Sequence, residues 1–308
     1  MTTTNTILTP GSAADAAAVD FETTREIGYY RLVWRRFCRR RVALVGAIVL
    51  VVLALACYLG PLFLPAEKVD LTITNLAPFT SIHHILGTDD TGRDLLLRNL
   101  TGGRISLLVG VTAMLLTISI ATVLGALSGF FGGVIDSVVT SMTNAVLSIP
   151  SILILVIFAK WRGQSVLTIV VGIALIGWPA TARIVRSVIL SVREKEFVEA
   201  ARAVGTPRVR IITRHLIPNA LGPIVVSASL TIGAAILLES ALSFLGLGIN
   251  PPTATWGSLL NEGRDKLSNP SGIFYSLWPG FMILITVLSF NYIGDALRDA
   301  FDPRSLER

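Results

Sequence analysis

Six long apolar segments run through this chain, and they constrain its fold more than any other feature. Of its 308 residues, 52% are hydrophobic and only 15% are charged. A helix needs about 20 apolar residues to cross the hydrocarbon core of a bilayer. The segments that approach this length are residues 42–64, 105–126, 138–159, 166–182, 220–247 and 273–293. The sequence therefore predicts an all-α polytopic membrane protein with six transmembrane helices.

The remaining residues divide the chain into regions. The first 26 residues are rich in Thr and Ala and lack an apolar core, which predicts a flexible tail and not a signal peptide. A basic segment, the first span and an extracytoplasmic loop follow over residues 27–104. The core membrane domain covers residues 105–297 and includes a polar loop at 193–218, and a cytoplasmic tail is expected over residues 298–308.

Positive charge predicts the orientation of the spans. The basic residues immediately before the first span are Arg31, Arg35, Arg36, Arg39, Arg40 and Arg41. Such basic flanks stay in the cytoplasm, so six spans place both termini there. The charge balance agrees, because residues 183–215 carry eight Lys or Arg against three Glu, whereas residues 65–104 carry four basic and five acidic residues. The net charge of +6 thus reflects topology, and no nucleic-acid partner is expected.

A polar insert follows the fourth span and reads EFVEAARAVGTPRVRIITRHLIPN over residues 196–219. Its apolar residues repeat every three to four positions, which predicts two short amphipathic helices. Their stripes are Phe197, Ala200, Ala201 and Val204, then Val209, Ile212 and Leu216. Gly205 suits the left-handed end of the first helix, while Thr206 suits the N-cap of the second and Pro207 its first position. We expect Pro218 to end the second helix.

Two interpretations of this insert follow from the residues alone. One is an interfacial hairpin whose arginines face anionic lipid. The other is a docking element, because Ala200 and Ala201 permit close approach and Glu199 and Arg202 offer charge-assisted hydrogen bonds. Gly205 would fix the turn in either case. Spacing alone leaves both interpretations open.

The insert resembles the "EAA" loop of ABC-importer permeases through Glu199-Ala200-Ala201, Gly205 and the run His215-Leu216-Ile217-Pro218-Asn219. In that family the loop contains a coupling helix that docks into a groove of a separate ATPase subunit. Histidine at position 215, where the family usually has an apolar residue, fits the peptide-importer branch. The resemblance implies that the ATPase-coupling positions are Glu199, Ala200, Ala201, Arg202, Gly205, Thr206, Pro207, Arg208, His215 and Pro218.

Other motifs resemble the C-type permease subunit of dipeptide and oligopeptide importers. They are Leu86-Gly87-Thr88-Asp89, Gly92-Arg93-Asp94, Gly103-Arg104-Ile105-Ser106-Leu107, Leu238-Glu239, Ser243-Phe244-Leu245-Gly246-Leu247-Gly248, Pro251-Pro252, Trp256-Gly257, Gly294-Asp295, Leu297-Arg298-Asp299-Ala300 and Asp302-Pro303-Arg304. Together they cover residues 30–305. They imply a type I ABC-importer permease fold in a prokaryotic cell membrane.

The resemblance also implies a function and its partners. The expected function is ATP-driven import of dipeptides or oligopeptides, with this chain forming half of the translocation path. The expected partners are a homologous B-type permease, ATPase domains on one or two polypeptides, and an extracytoplasmic solute-binding protein. Nickel, haem or another small solute is an alternative substrate. A channel or membrane scaffold without an ATPase is the alternative of a different class.

The chain offers little chemistry of its own. It lacks a phosphate-cradling GxxxxGK[ST] loop, so no cofactor is expected on this chain, and ATP and Mg²⁺ are expected on the partner ATPase. His83 and His84 near Asp89 and Asp90 are too weak a pattern to predict a metal site. No nucleophile and base stand in a recognisable arrangement, so the chain is not expected to be an enzyme.

Small residues recur every four positions in the second span, at Ala121, Gly125, Gly129 and Gly133. Such a ridge permits close packing of helices in lipid.

Glu239 is the residue hardest to accommodate in a membrane. An acid at bilayer depth costs about 3 kcal/mol unless it faces protein or water. It belongs to a small and polar ridge formed by Ser227, Thr231, Ala235, Glu239 and Ser243. Glu239 either pairs with an outer arginine such as Arg104 and fixes helix positions, or it lines the translocation path or its outer gate. The candidates for the path or gate are Glu239, Ser243, Thr231 and Ser227.

A short amphipathic helix is predicted outside the membrane in the stretch NPPTATWGSLLNEGRDKL. It carries Trp256, which suits either contact with a solute-binding protein or an interfacial aromatic belt. The candidates for contact with the binding protein are Trp256, Arg93 and Asp94.

Overall fold

The computed structural model describes residues 29–64, 69–266 and 272–301. Within these ranges the regular elements are helices, which confirms the all-α prediction. They are α1 (Tyr29–Arg39), α2 (Arg41–Phe63), α3 (Leu95–Phe131), α4 (Gly133–Leu147), α5 (Ser151–Arg162), α6 (Val166–Arg193), α7 (Glu196–Ala203), α8 (Arg208–Ile211), α9 (Ile217–Phe244), α10 (Trp256–Arg264) and α11 (Ile273–Phe301). The N-terminal tail over residues 1–26, the motif Asp302-Pro303-Arg304 and most of the predicted C-terminal tail lie outside the described residues.

In the described part of the chain, five continuous helical runs are long and apolar enough to cross a membrane. These are α2, α3, α6, α11 and the run Arg208–Phe244. The sixth predicted span is a broken one, because α4 and α5 meet at an angle of 88°. Pro150 begins the second half of that pair; its ring removes a backbone N–H and disfavours a helical conformation at the residue before it. The described residues thus contain five spans, or the predicted six where the bent pair is counted as one span.

Two span helices extend well beyond their apolar segments. α3 begins at Leu95 and not at residue 105, because the carboxylate of Asp94 accepts a hydrogen bond from the backbone N–H of Leu97 at 2.9 Å. α6 continues to Arg193 although its apolar segment ends at residue 182. An apolar run marks the part of a helix that lies in lipid, whereas capping residues decide where the helix begins.

The polar insert differs from its prediction at two points. Gly205 ends α7 as expected, with φ of +79° and hydrogen bonds from Gly205 N–H to the Arg202 carbonyl and from Thr206 N–H to the Ala201 carbonyl. However, Pro207 and not Thr206 is the N-cap of the next helix. Pro218 also fails to end that helix.

The chain passes through Pro218 by way of a widened turn. A π-helical segment (Ile212–Leu216) joins α8 to α9, and the N–H of Ile217 bonds the carbonyl of Ile212 five residues earlier. A wider turn relieves the clash that a proline ring makes with an α-helical backbone. The insert therefore consists of the separate short helix α7, followed by a helical run from α8 that continues into the long span helix α9.

The small-residue ridge holds α3 against α6. A Cβ atom at Gly125 would lie 2.7 Å from the Ala182 carbonyl oxygen, and one at Gly129 would lie 2.9 Å from that of Arg186. Ala121 is also fully buried, so the predicted ridge is confirmed over three positions. Gly133 is an exception, because it follows the turn at Gly132 and faces open space.

The long helix α9 packs between α3 and α11, while α2 and the amphipathic α1 flank α11. Among the apolar clusters inside the bundle, one lies around Val109, Ile173 and Leu242 and another around Trp256 and Ile236. Another cluster lies at the end of the bundle that carries the polar insert.

Candidate functional site

Residues 196–211, which we call the polar hairpin, are fixed to the bundle by their inner face. Val198 on α7 and Ile211 on α8 are fully buried. They join an apolar cluster with Phe130 at the end of α3, Ile189 on α6 and Leu216 of the π-helical turn. The hairpin therefore contacts the ends of three span helices.

The outer face of the polar hairpin is apolar and exposed. Val204 is 86% exposed and Val209 is 70% exposed, and Phe197 is exposed as well. Of the stripe predicted from Phe197, Ala200, Ala201 and Val204, only Ala201 is half-buried and packs against the bundle, while the fully buried contact comes from Val198. The period predicted the helix correctly, but it did not single out Val198, which carries the buried contact.

Charged groups connect the hairpin to the end of α3. The guanidinium of Arg202 lies 5.4 Å from the centroid of the Phe130 ring, in a cation–π contact. Arg193, at the end of α6, donates from Nη1 to the carbonyls of Gly129 and Phe130 at 3.3 Å each. The ring of His215 lies 6.2 Å from that of Phe197. The other predicted coupling residues on this hairpin are exposed or half-buried: Glu199, Ala200, Ala201, Gly205, Thr206, Pro207 and Arg208. Pro218 is exposed at the start of α9.

Glu239 lies at 0% exposure in the middle of three helices. Its carboxyl oxygens accept hydrogen bonds from Ser243 at 2.8 Å and from Ser106 of α3 at 3.2 Å. Ser106 in turn accepts a hydrogen bond from the backbone N–H of Trp256 at 3.1 Å. The expected partner Arg104 instead places its guanidinium over the ring of Tyr58, 5.4 Å from the centroid. Serine hydroxyls and not a cation therefore satisfy this acid.

The other path candidates on α9 also face protein. Ser227 and Ser243 are buried, and Thr231 is half-buried and donates to the carbonyl of Ser227 at 2.7 Å. A Cβ atom at Gly257 of α10 would lie 2.7 Å from that of Ser243. In this structure the polar ridge packs against neighbouring helices of the same chain.

Trp256 is fully buried, which corrects its assignment as a surface for the binding protein. Its indole N–H donates to the carbonyl of Asn99 at 3.0 Å, and its ring lies against Gly103. Thr255 and Ser258 form a reciprocal cap that starts α10 and directs Trp256 inward. The predicted short helix is present, but its aromatic residue anchors it to the bundle.

Arg93 and Asp94 take part in internal bonds at the same end of the bundle. Arg93 donates from Nε to Asp89 at 2.7 Å, and the carboxylate of Asp94 lies 2.8 Å from Nδ1 of His84. Burial raises the pKa of Asp89, but hydrogen bonds from Thr91 and Arg93 outweigh it, so the pKa lies below its ordinary value.

Sequence reasoning missed the residue at the centre of this group. Arg98 donates from Nη1 to Asp89 at 3.1 Å and to Glu262 of α10 at 2.6 Å. Because Arg98 and Glu262 are far apart in sequence, no local pattern joins them. The signal that the sequence offered was an arginine close to the start of a predicted span.

Two family models match the chain. Residues 121–307 match "Binding-protein-dependent transport system inner membrane component", and residues 28–78 match "N-terminal TM domain of oligopeptide transport permease C".

Similar proteins extend the match to most of the chain. The oligopeptide transport system permease protein OppC of Haemophilus influenzae is 40% identical over 272 residues, which cover 88% of this chain and 87% of the relative. The dipeptide transport system permease protein DppC of Bacillus subtilis is 38% identical over 281 residues, covering 90% and 87%. A solved structure of the MetNI methionine ABC transporter in an inward-facing conformation has a TM-score of 0.50 at 17% identity, over 68% of this chain and 97% of that one. At 17% identity, the similarity to this transporter concerns the fold alone.

Proposed function

Since this chain belongs to the family of binding-protein-dependent transport system inner membrane components, we propose that it is the C-type permease subunit of an ATP-driven importer of dipeptides or oligopeptides. Relatives named as oligopeptide and dipeptide permeases, at 40% and 38% identity, support a peptide substrate. The chain forms one half of the translocation path. A homologous B-type permease forms the other half.

One observation carries the coupling part of this proposal. The polar hairpin is anchored by Val198 and Ile211 but exposes Val204 and Val209 at its tip. Exposed apolar residues that protrude from charged surroundings are typical of a protein contact. We assign this tip to the groove of an ATPase, with Glu199, Arg202 and Arg208 forming charged contacts at its rim.

The contacts behind the hairpin explain how ATPase movement would reach the spans. Val198 and Ile211 share a buried cluster with Phe130, Val185 and Leu216, which belong to three different span helices. A close-packed cluster transmits displacement because it has little room to deform. Closure of the ATPases would therefore move α3, α6 and α9 together and give alternating access.

The remaining partners follow from this arrangement. ATP and Mg²⁺ bind the ATPase, and this chain is a transport subunit without catalysis of its own. The basic flank of α1 and the polar hairpin lie in the cytoplasm, with both termini, because clustered arginines stay on that side. A solute-binding protein delivers peptide to the opposite face, around α10.

Co-purification tests the coupling. We expect the complete complex to lose its ATPase on Gly205→Asp or Glu199→Arg, while this chain still inserts in the membrane. Retention of the ATPase by both variants would exclude the hairpin as the docking element. A chain that purifies with no ATPase even in its unaltered form would instead support the channel or scaffold alternative.

Substrate class is tested with the complex reconstituted in liposomes together with its binding protein. We expect di- and oligopeptides to stimulate ATP hydrolysis and to accumulate inside. Stimulation by nickel or haem, with none by peptides, would overturn the peptide assignment.

A further inference from the structure

The helix α1 lies against the end of α11 that follows its apolar segment. Val33 and Phe37 are buried and share an apolar cluster with Ala296 of α11. At the junction between α1 and α2, Nη2 of Arg40 lies 2.5 Å from Oδ2 of Asp299 on α11. One face of α1 is therefore fixed to the bundle, and the opposite face points away from it.

The contacts of α2 with α11 place α1 at the level of the lipid headgroups. A Cβ atom at Gly46 of α2 would lie 3.2 Å from the carbonyl oxygen of Ser289 on α11, so the two helices touch there. By the helical rise, Gly46 is about 6 Å inside the first apolar segment and Ser289 is about 6 Å inside the last, so both segments end at one level. Ala296 lies about 5 Å beyond that level. The headgroup layer is about 5–8 Å thick, and α1 packs within it.

Three arginines, which we call the arginine ridge, line the outer face of α1. Arg31, Arg35 and Arg39 are exposed and are spaced four residues apart. By the helical period they lie on one face, opposite Val33 and Phe37. Residues 27–41 contain six arginines and no acid, so α1 supplies no counter-charge of its own. Like charges at this spacing destabilise a helix, and an anion bound between them would remove that cost.

Trp34 supplies an apolar part of the same surface. It is 66% exposed, and its ring stacks on that of Phe37 with the centroids 5.8 Å apart. By the helical period it lies between the buried face and Arg31. A tryptophan ring is most favourable at the level of the headgroups. Arginines beside an exposed tryptophan are typical of a helix that lies on an anionic membrane surface.

We propose that α1 binds anionic phospholipid headgroups of the leaflet at its own end of the bundle, and that the arginine ridge holds their phosphates. A guanidinium suits a phosphate because its paired N–H donors match two phosphate oxygens. Clusters of about four to eight basic residues beside a membrane span indicate such binding. The depth of α1 favours lipid over a protein in the aqueous phase. The proposed topology makes this leaflet the cytoplasmic one.

Fluorescence quenching in lipid nanodiscs tests the proposal. The full-length chain, with the subunits that co-purify with it, is placed in two kinds of disc that share one mixture of phosphatidylglycerol and phosphatidylcholine. Bromine, which quenches tryptophan, is carried by phosphatidylglycerol in one kind and by an equal amount of phosphatidylcholine in the other. Subtraction of the Trp34→Phe signal isolates Trp34. We expect brominated phosphatidylglycerol to quench Trp34 at least about twofold more, and high salt to reduce the difference.

Substitutions assign this preference to the arginine ridge. Arg31→Gln, Arg35→Gln and Arg39→Gln together should bring the ratio of the two quenching values close to one. The same three residues changed to Lys should keep most of the ratio, because the attraction is mainly one of charge. Lys160→Gln with Arg162→Gln is the control, since it removes exposed charges at the opposite end of the bundle and should leave the ratio unchanged.

Melting curves check that the Gln variant folds. In discs of phosphatidylcholine alone, it should be at least as stable as the unaltered chain, because it loses the repulsion between neighbouring arginines. Phosphatidylglycerol should raise the melting temperature of the unaltered chain and change that of the variant less.

Three results would overturn the proposal. One is equal quenching of Trp34 by the two lipids in the unaltered chain at low salt. Another is a preference for phosphatidylglycerol that survives in the Gln variant. The third is weak quenching by both lipids, which would show that protein covers α1. Peptide transport is measured separately in liposomes, so failure of the proposed function would be distinguishable from failure of lipid binding.

Discussion

Ser243 donates a hydrogen bond from its hydroxyl to Oε1 of Glu239 at 2.8 Å, one helical turn away on α9. Ser106 of α3 donates to the other carboxyl oxygen and is itself bonded by the backbone N–H of Trp256. One buried acid thereby connects α9, α3 and the start of α10. This geometry favours the helix-fixing interpretation of Glu239 over a place on the path.

Glu239→Gln is expected to preserve transport, because the side chain is enclosed by the chain's own helices. Glu239→Leu should lower the free energy of unfolding by about 1–3 kcal/mol, since it leaves serine hydroxyls without their acceptor. Peptide uptake by the reconstituted complex and thermal unfolding in detergent measure the two effects. A stable Glu239→Gln complex that transports poorly would instead place Glu239 on the path.

Trp256→Ala is expected to destabilise the subunit by about 3–5 kcal/mol, because it empties a fully buried site and leaves the Asn99 carbonyl without its donor. Thermal unfolding in detergent measures the loss. Trp161→Ala is the matched control, since Trp161 is 76% exposed and its removal should change stability by less than about 0.5 kcal/mol. Similar effects of the two changes would contradict the anchoring role of Trp256.

Gly125→Ala is expected to separate α3 from α6, because its methyl group would lie 2.7 Å from the Ala182 carbonyl oxygen. The loss should be about 1–3 kcal/mol, as for other overpacked sites. Gly280→Ala on α11 is the control, since its methyl group would meet only Leu260, at 3.7 Å, and a helix gains about 0.5–1 kcal/mol from Ala. An unchanged melting temperature for Gly125→Ala would show that the ridge is not close-packed.

Asp89→Asn is expected to lower stability at neutral pH by about 3 kcal/mol, because it leaves buried Arg98 with a weaker partner. The pKa of Asp89 is lowered in the fold, so its contribution is complete above about pH 4 and is lost as the pH falls through the lowered value. Melting curves from pH 7 downward should therefore converge for the two proteins in acid. Asp265→Asn, at an exposed pair with Arg264, should show no such convergence.

Val204→Asp is expected to leave the fold of this chain unchanged within about 0.5 kcal/mol, because the side chain is exposed. It should lower retention of the ATPase at least about tenfold, since it would place an unpaired charge in the docked contact. Ile82→Asp introduces the same charge at another exposed apolar residue, in a loop at the opposite end of the bundle, and should retain the ATPase. Equal retention by both variants would contradict a docked Val204.

The sequence identified several features because their physical cause is local. Span positions follow from runs of apolar residues, and the turn at Gly205 follows from one residue that tolerates a positive φ. The ridge of Ala121, Gly125 and Gly129 follows from a spacing of four residues on one helix. Each of these features can be predicted from residues that lie close together in the sequence.

Tertiary structure alone decided which faces point inward and which groups meet. Val198 and Val204 are both valines in one short helical stretch, so hydrophobicity could not tell that Val198 is buried while Val204 is exposed; only the packing of that stretch against the bundle decides it. The partners of Glu239, the inward turn of Trp256 and the pair of Arg98 with Glu262 join residues far apart in sequence. Such polar groups are satisfied by whatever the packed helices bring within hydrogen-bond distance, and only the assembled bundle determines that.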